Sequence, residues 1–207
     1  MKTYLLIIFM SLSVTVFGQQ AEVKEAFEKY KTAMLAGDTD GIVANTSQKS
    51  FDYYEMLIDY ALNADSAKVA ALGLVDRMTV LGTRIKIPVE QLKSMDGAGY
   101  IRYGIENQMS NPAAFNSIDV GDITMEGDSK AMGQVMFGIQ ALPAQMTFYK
   151  ESGSWKFDAS SMTKLSEDAI LQQLAQQGIS EKDFVNMSLT QVGGGKVPGD
   201  IWQPLVR

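Results

Sequence analysis

Met146-Thr147-Phe148-Tyr149-Lys150-Glu151-Ser152-Gly153-Ser154-Trp155-Lys156-Phe157-Asp158 reads as one antiparallel hairpin. Met146 and Phe148 alternate with Thr147 and Tyr149, and Trp155 and Phe157 with Lys156 and Asp158, so each arm has one apolar and one polar face. Between the arms, Glu151-Ser152-Gly153-Ser154 supplies a tight turn with a glycine free to take positive φ. A curved antiparallel sheet with one covered face follows, and the cover must come from elsewhere in the chain.

Upstream, Ala131 to Leu142 reads as a single long strand ended by Pro143, with Ala131, Val135, Phe137 and Ile139 as its apolar face. Glu126-Gly127-Asp128-Ser129 reads as a turn. Before it, Ile118 and Val120 keep one phase while Ile123 and Met125 keep the other, which predicts a β-bulge at Gly121-Asp122. Before Asn111-Pro112 the dominant period is helical instead.

The first covering helix spans Ala21 to Leu35, where Val23, Ala26, Phe27, Tyr30, Ala33 and Met34 fall on one face. Gly37 ends it, and Asp38 or Thr39 caps a short second helix. Asp38-Thr39-Asp40-Gly41 also invites a calcium reading, but Ile42 and Val43 stand where an EF-hand loop needs oxygen ligands. Ser50 is expected to cap a third helix with the stripe Phe51, Tyr54, Leu57, Ile58, Ala61 and Leu62. Asp65-Ser66 restarts a helical pattern through Val69, Leu72, Val75 and Leu81. Thr83 to Ile87 reads as a short strand ended by Pro88, Val89 to Met95 as a helical turn or two, and Gly97 to Ile105 as helix in preference to strand. Past the sheet, Ser166-Glu167-Asp168 starts a helix ending at Gly178, and Ser180 caps another. Gly193-Gly194-Gly195 lacks the Gly-Lys-Ser/Thr ending of a phosphate loop and reads as a mobile linker. The tail to Leu205, with Ile201 and Trp202, is expected to pack back on the domain or on a partner.

Composition narrows the chemistry. The 207 residues contain neither Cys nor His, which removes thiol and imidazole catalysis, disulfides and the usual zinc sites. Net charge is −6, and no Lys/Arg block is dense enough to neutralise adjacent phosphates, so nucleic acid is not an expected partner. Met1-Lys2-Thr3, the apolar run from Tyr4 to Phe17 and Gly18-Gln19-Gln20 have the layout of a signal peptide cleaved after Gly18. The run falls short of the roughly 20 apolar residues of a spanning helix. The expected organisation is therefore a leader over 1–18, one α+β domain over 19–190 and a loop and tail over 191–207, exported to a bacterial periplasm or medium.

The order of helices, then the Asp119-Val120-Gly121-Asp122-Ile123 strand, the Gly127 turn and the Trp155-Lys156-Phe157-Asp158 strand, resembles the NTF2-like superfamily, with its SnoaL/ketosteroid-isomerase-like, cystatin-like fold. The resemblance covers roughly 21–47 and 115–160; the helices from Ser50 to Ser110 and those after the sheet depart from the compact pattern. It implies N-terminal helices on a curved sheet, and members that range from isomerases and dehydratases to non-catalytic binding modules. Ketosteroid-isomerase-like members use an Asp base beside Tyr and acid donors. Tyr30, Tyr53, Tyr54, Asp59, Tyr60, Tyr149 and Asp158 are of suitable type, but none aligns with that base.

The expected ligand-cavity residues are Tyr54, Met136, Met146, Phe148, Trp155 and Phe157, with no metal and no cofactor. Asp119, Asp122, Glu126 and Asp128 read as a solvated acidic rim. The reading preferred is a non-catalytic exported domain that binds a small apolar ligand or an envelope protein. A cofactor-independent isomerase, dehydratase or hydrolase is the alternative, and a homodimer stays open. Material isolated from the cell envelope is expected to begin at Gln19 by intact mass; a dominant species that keeps Met1 would contradict the leader.

Overall fold

The computed structural model describes residues 3–206, with side chains from Gly18 onward. The expected leader, residues 1–18, lies outside the fully described residues except for Gly18. In chain order the helices and strands are α1 (Thr3–Ala36), α2 (Thr39–Asn45), α3 (Gln48–Asn63), α4 (Ser66–Ala70), α5 (Leu74–Lys86), α6 (Val89–Leu92), α7 (Gly97–Glu106), β1 (Ile118–Glu126), β2 (Lys130–Phe137), β3 (Gln140–Glu151), β4 (Ser154–Asp158), α8 (Thr163–Gln177) and α9 (Glu181–Val192). The fold class is α+β. Where sequence suggests one domain over 19–190, the contacts gather into two compact units: residues 1–48 with 102–161, and residues 49–101 with 162–207.

The first unit is built on an open four-stranded antiparallel sheet in the order β1-β2-β3-β4. Its core face carries Val120, Ile123, Ala131, Val135, Met146, Phe148, Trp155 and Phe157, all buried. The α1 face expected from periodicity covers it: Val23, Ala26, Phe27, Tyr30, Ala33 and Met34 are each no more than 6% exposed. Gly133 lies at the centre of this face because a Cβ there would run into Val120 Cγ2 and come within 2.9 Å of Ile123 Cδ1. The β3–β4 turn has positive φ at both Ser152 (50°) and Gly153 (82°), between the paired Glu151 and Ser154, as a two-residue type I′ turn requires. Asp38 caps α2 through its carboxylate, which accepts the Gly41 N–H at 3.0 Å.

Two bulges shape the sheet. Between the pairs Val120↔Val135 and Ile123↔Gly133, β1 advances one residue more than β2, which is the bulge expected at Gly121-Asp122. The second corrects the long-strand expectation. The run from Ala131 to Leu142 turns back at Gly138-Ile139, with Phe137 paired to Gln140, and Pro143 lies inside β3 rather than ending a strand. From Gln134↔Gln145 to Met136↔Ala141, β3 advances two residues more than β2, so Pro143 sits in a bulge, where its missing N–H costs no ladder bond. The supposed apolar face divides accordingly: Ala131 and Val135 are buried, whereas Phe137 is 55% exposed and Ile139 fully exposed.

The regular elements of the second unit are all helices among the described residues. Thr83 to Arg84 and Lys86 form the last turns of α5 rather than a strand, because Leu74, Val80, Leu81, Thr83 and Arg84 share its buried side; only Ile87 is extended. Ser50 is buried inside α3 and is not its cap. That helix starts at Gln48, whose N–H donates to the Glu151 carboxylate at 2.9 Å. Likewise α8 begins at Thr163, with Ser166 Oγ donating back to the Met162 carbonyl within its first turn. Asp65 and Ser180 cap α4 and α9 as their sequences suggest, and Gly178 closes α8 in the left-handed region. The tail packs back as expected: Ile201 is buried and the Val206 N–H donates to the Leu62 carbonyl.

Trp155 is 4% exposed on β4. Trp155→Ala is expected to cost about 3–5 kcal/mol, read from denaturant unfolding. An unchanged midpoint would contradict the strand phase.

Candidate functional site

Four of the six expected cavity residues come together on one sheet face. Phe148 pairs directly with Phe157, and Met146 and Trp155 are their neighbours on β3 and β4. Phe27 of α1 meets Phe148 and Phe157 edge-on, with ring centroids 6.4 and 5.4 Å apart, and Tyr30 lies 4.8 Å from Phe157. Met136 lies elsewhere. It is next to buried Val135 on β2 and so points to the opposite sheet face, half-buried over Gly121, where a Cβ would stand 3.0 Å from its sulfur. Tyr54 belongs to the second unit, stacked on Tyr100 at 5.5 Å and edge-on to Tyr53 at 5.3 Å. Periodicity sorts residues by face but cannot say which faces share an interior.

Among the described residues the first unit also buries two polar atoms with no hydrogen-bond partner there, the Trp155 indole Nε1 and Ser47 Oγ. Ser47 lies alongside β4, its N–H donating to the Phe157 carbonyl at 2.9 Å. Trp155 carries Lys150 Nζ 5.7 Å from its ring centroid, and that ammonium is 3.6 Å from Glu22. A buried N–H without an acceptor is unfavourable, and an acceptor brought by a ligand would satisfy it. Nothing in the spacing of Ser47 or Trp155 signals this; it is a property of what packs around them.

The second unit holds a polar cluster that sequence reasoning did not assemble. The Tyr53 hydroxyl on α3 donates to the Asp76 carboxylate at the start of α5, and Thr163 of α8 donates to the Tyr53 oxygen at 3.3 Å. Burial, reinforced by the Asp76 carboxylate, pushes the Tyr53 phenol above the usual tyrosine range. Tyr100 bonds Thr83 at 2.6 Å, and burial raises its phenol too. Both phenols are thus held protonated at neutral pH, as hydrogen-bond donors rather than proton-abstracting bases. Among the other candidates, Asp158 is buried and accepts from Ser160 through both N–H (3.1 Å) and Oγ (2.6 Å), and Tyr30 belongs to the aromatic core.

No family model, curated protein or solved structure matches the chain.

Of the acidic residues around the first bulge, Asp119 lies 3.6 Å from Lys31 and accepts the Val120 N–H, Glu126 pairs with Lys130 at 2.7 Å, and Asp122 and Asp128 are exposed. Among the described residues no group of three His, Cys, Asp or Glu side chains could hold a metal ion, and no helix is long and apolar enough to cross a membrane.

The Tyr53 cluster has a pH signature. Unfolded tyrosine ionises near pH 10, while folded Tyr53 keeps its proton to higher pH. Its contribution is complete below about pH 10 and is lost as pH rises through the folded value. Tyr53→Phe is expected to cost about 1–3 kcal/mol near neutrality, because Asp76 loses a donor, and to lessen the alkaline fall in stability. Parallel stability–pH curves for parent and variant above pH 9 would contradict the assignment.

Proposed function

We propose that the protein is an exported, non-catalytic module of NTF2-like type that binds an apolar partner in the cell envelope through the β2–β3 arm. The observation that carries this reading is the arm itself. Phe137 and Ile139 project at its turn, 55% and fully exposed, while Ala141, the partner of Met136, is exposed on the other sheet face and Pro143 in the bulge. Folded proteins leave single apolar side chains on their surfaces, but contiguous exposed ones mark interaction sites. The NTF2-like reading is supported by the first unit's order, a long helix and a short one followed by an antiparallel sheet whose core face α1 covers. The export reading is supported by the layout of residues 1–18.

A small apolar ligand within the first unit is the second reading, favoured by the orphaned Trp155 indole N–H. In that case a bound small molecule should survive native mass spectrometry and be lost on Trp155→Phe.

For the arm, Ile139→Asp puts a charge on a fully exposed side chain and should leave the melting temperature within error of the parent. If the arm binds an envelope component, the parent fractionates with the envelope after lysis and the variant moves to the soluble fraction. Identical distribution of the two would overturn the reading.

A further inference from the structure

Resting on the arm as the binding surface, we infer that its partner is the lipid bilayer surface, into which the Phe137-Gly138-Ile139 turn inserts. Charge is distributed unevenly along the first unit. From Ala131 to Tyr149 there is no Asp, Glu, Lys or Arg, in a chain where these make up 20% of residues. A second uncharged stretch, Asn107 to Ile118, reaches the same end of the sheet: Ile118 pairs with Phe137, and the Ser117 carbonyl accepts the Gly138 N–H at 2.8 Å. The opposite end, formed by the β1–β2 and β3–β4 turns, carries Glu126, Asp128, Lys130, Lys150 and Glu151. Charge is thus concentrated at one end of the sheet, and near the other stands the Asp119–Lys31 pair.

Backbone bonding confines insertion to the tip of the arm, because β4 pairs with β3 only from Thr147 onward and leaves the outer edge of β3 from Gln140 to Met146 open. A segment entering lipid must keep its main-chain groups bonded internally. At this turn β2 and β3 are paired up to Phe137↔Gln140, and the Gly138 N–H within it is taken by Ser117. The nearest charge on the pairing strand, Asp119, lies one rung below and is 3.6 Å from Lys31, so no isolated charge accompanies the turn.

A protein partner fits these features less well. A stable protein interface takes roughly 800 Å² from each side, with anchors set in a packed patch and a polar rim. Here the turn offers the exposed pair Phe137 and Ile139 rather than a patch of that size, and the flanking Gln134, Gln140 and Gln145 offer amides but no charge to orient a partner. A bilayer requires only apolar groups and a neutral flank. Because the protein's net charge is −6, the surface that suits it is zwitterionic rather than anionic.

The chain contains no cysteine, so Ile139→Cys and Asp128→Cys each accept a single environment-sensitive fluorophore, one at either end of the sheet. With phosphatidylcholine vesicles at millimolar lipid, the probe at 139 is expected to brighten at least twofold and be quenched by brominated acyl chains, with little change between low salt and 0.5 M salt. The probe at 128 should not respond. Adding Phe137→Asp should abolish the response at 139, with melting temperature confirming the fold. An unresponsive probe at 139, or equal responses at both ends, overturns the lipid assignment. In that event a photo-crosslinker at 139 separates the two readings: a defined protein adduct at 139 and none at 128 keeps the arm as a binding surface with a protein partner, and no adduct at either removes both.

Discussion

The edge-on contact of Phe27 with Phe148 and Phe157 is the constraint on which the first unit depends. One ring from α1 meets two rings from adjacent strands, with centroids 6.4 and 5.4 Å away, and this fixes the distance and rotation of the helix over the sheet. Such pairs add about 0.5–1.5 kcal/mol each beyond area burial. They succeed only if the sheet face is level beneath them, which accounts for Gly133: with a Cβ there, Val120 and Ile123 would be pushed up toward the helix. The bulge at Gly121-Asp122 then returns Ile123 to the same face as Val120, so both sides of an irregular strand contribute to one core.

The second unit solves a different problem, the ends of its helices. Arg84, 6% exposed on α5, donates to the carbonyls of Tyr60, Ala61 and Ala64 at the end of α3 and to the carbonyl of Ile201 in the tail. Burial lowers the pKa of this guanidinium, yet arginine stays charged in proteins, and the negative end of a helix dipole is a favourable place for such a cation. A single planar group with donors pointing several ways can terminate a helix and fasten a tail together; a lysine there would offer a point charge without the fork.

How much was legible in the sequence follows from the range of the interactions. The α1 face, the caps at Asp38, Asp65 and Ser180, the first bulge and the β3–β4 turn are decided within a few residues, and periodicity or turn chemistry reveals them. Thr83 to Ile87 misled because β-branched residues before a proline look like a strand, when the buried side they extend is that of α5. Pro143 misled because a proline usually interrupts pairing; its place in a bulge depends on a register that only β2 defines. Of the six proposed cavity residues, the four on β3 and β4 converge because one hairpin carries them. Met136 differs by the parity of one residue, and Tyr54 by belonging to another interior. The Tyr53–Asp76–Thr163 and Arg84 clusters span 20 to more than 100 residues of sequence, and no local pattern could have assembled them.

These two kinds of interior bear on where binding can occur. The aromatic core of the first unit holds its rings against one another, and in the second unit the tyrosine hydroxyls and Arg84 already have partners within the chain. Both arrangements direct side-chain bonding capacity inward, to the fold itself. The β2–β3 arm does the reverse: it carries no charge from Ala131 to Tyr149, and Phe137 and Ile139 at its turn are 55% and fully exposed. A strand edge that bears a bulge and a proline resists indiscriminate pairing with other strands, so the arm is protected against addition of a further strand beside Pro143 while its turn remains open. Recognition through the projecting side chains of that turn, rather than through strand pairing, is the use these features jointly permit.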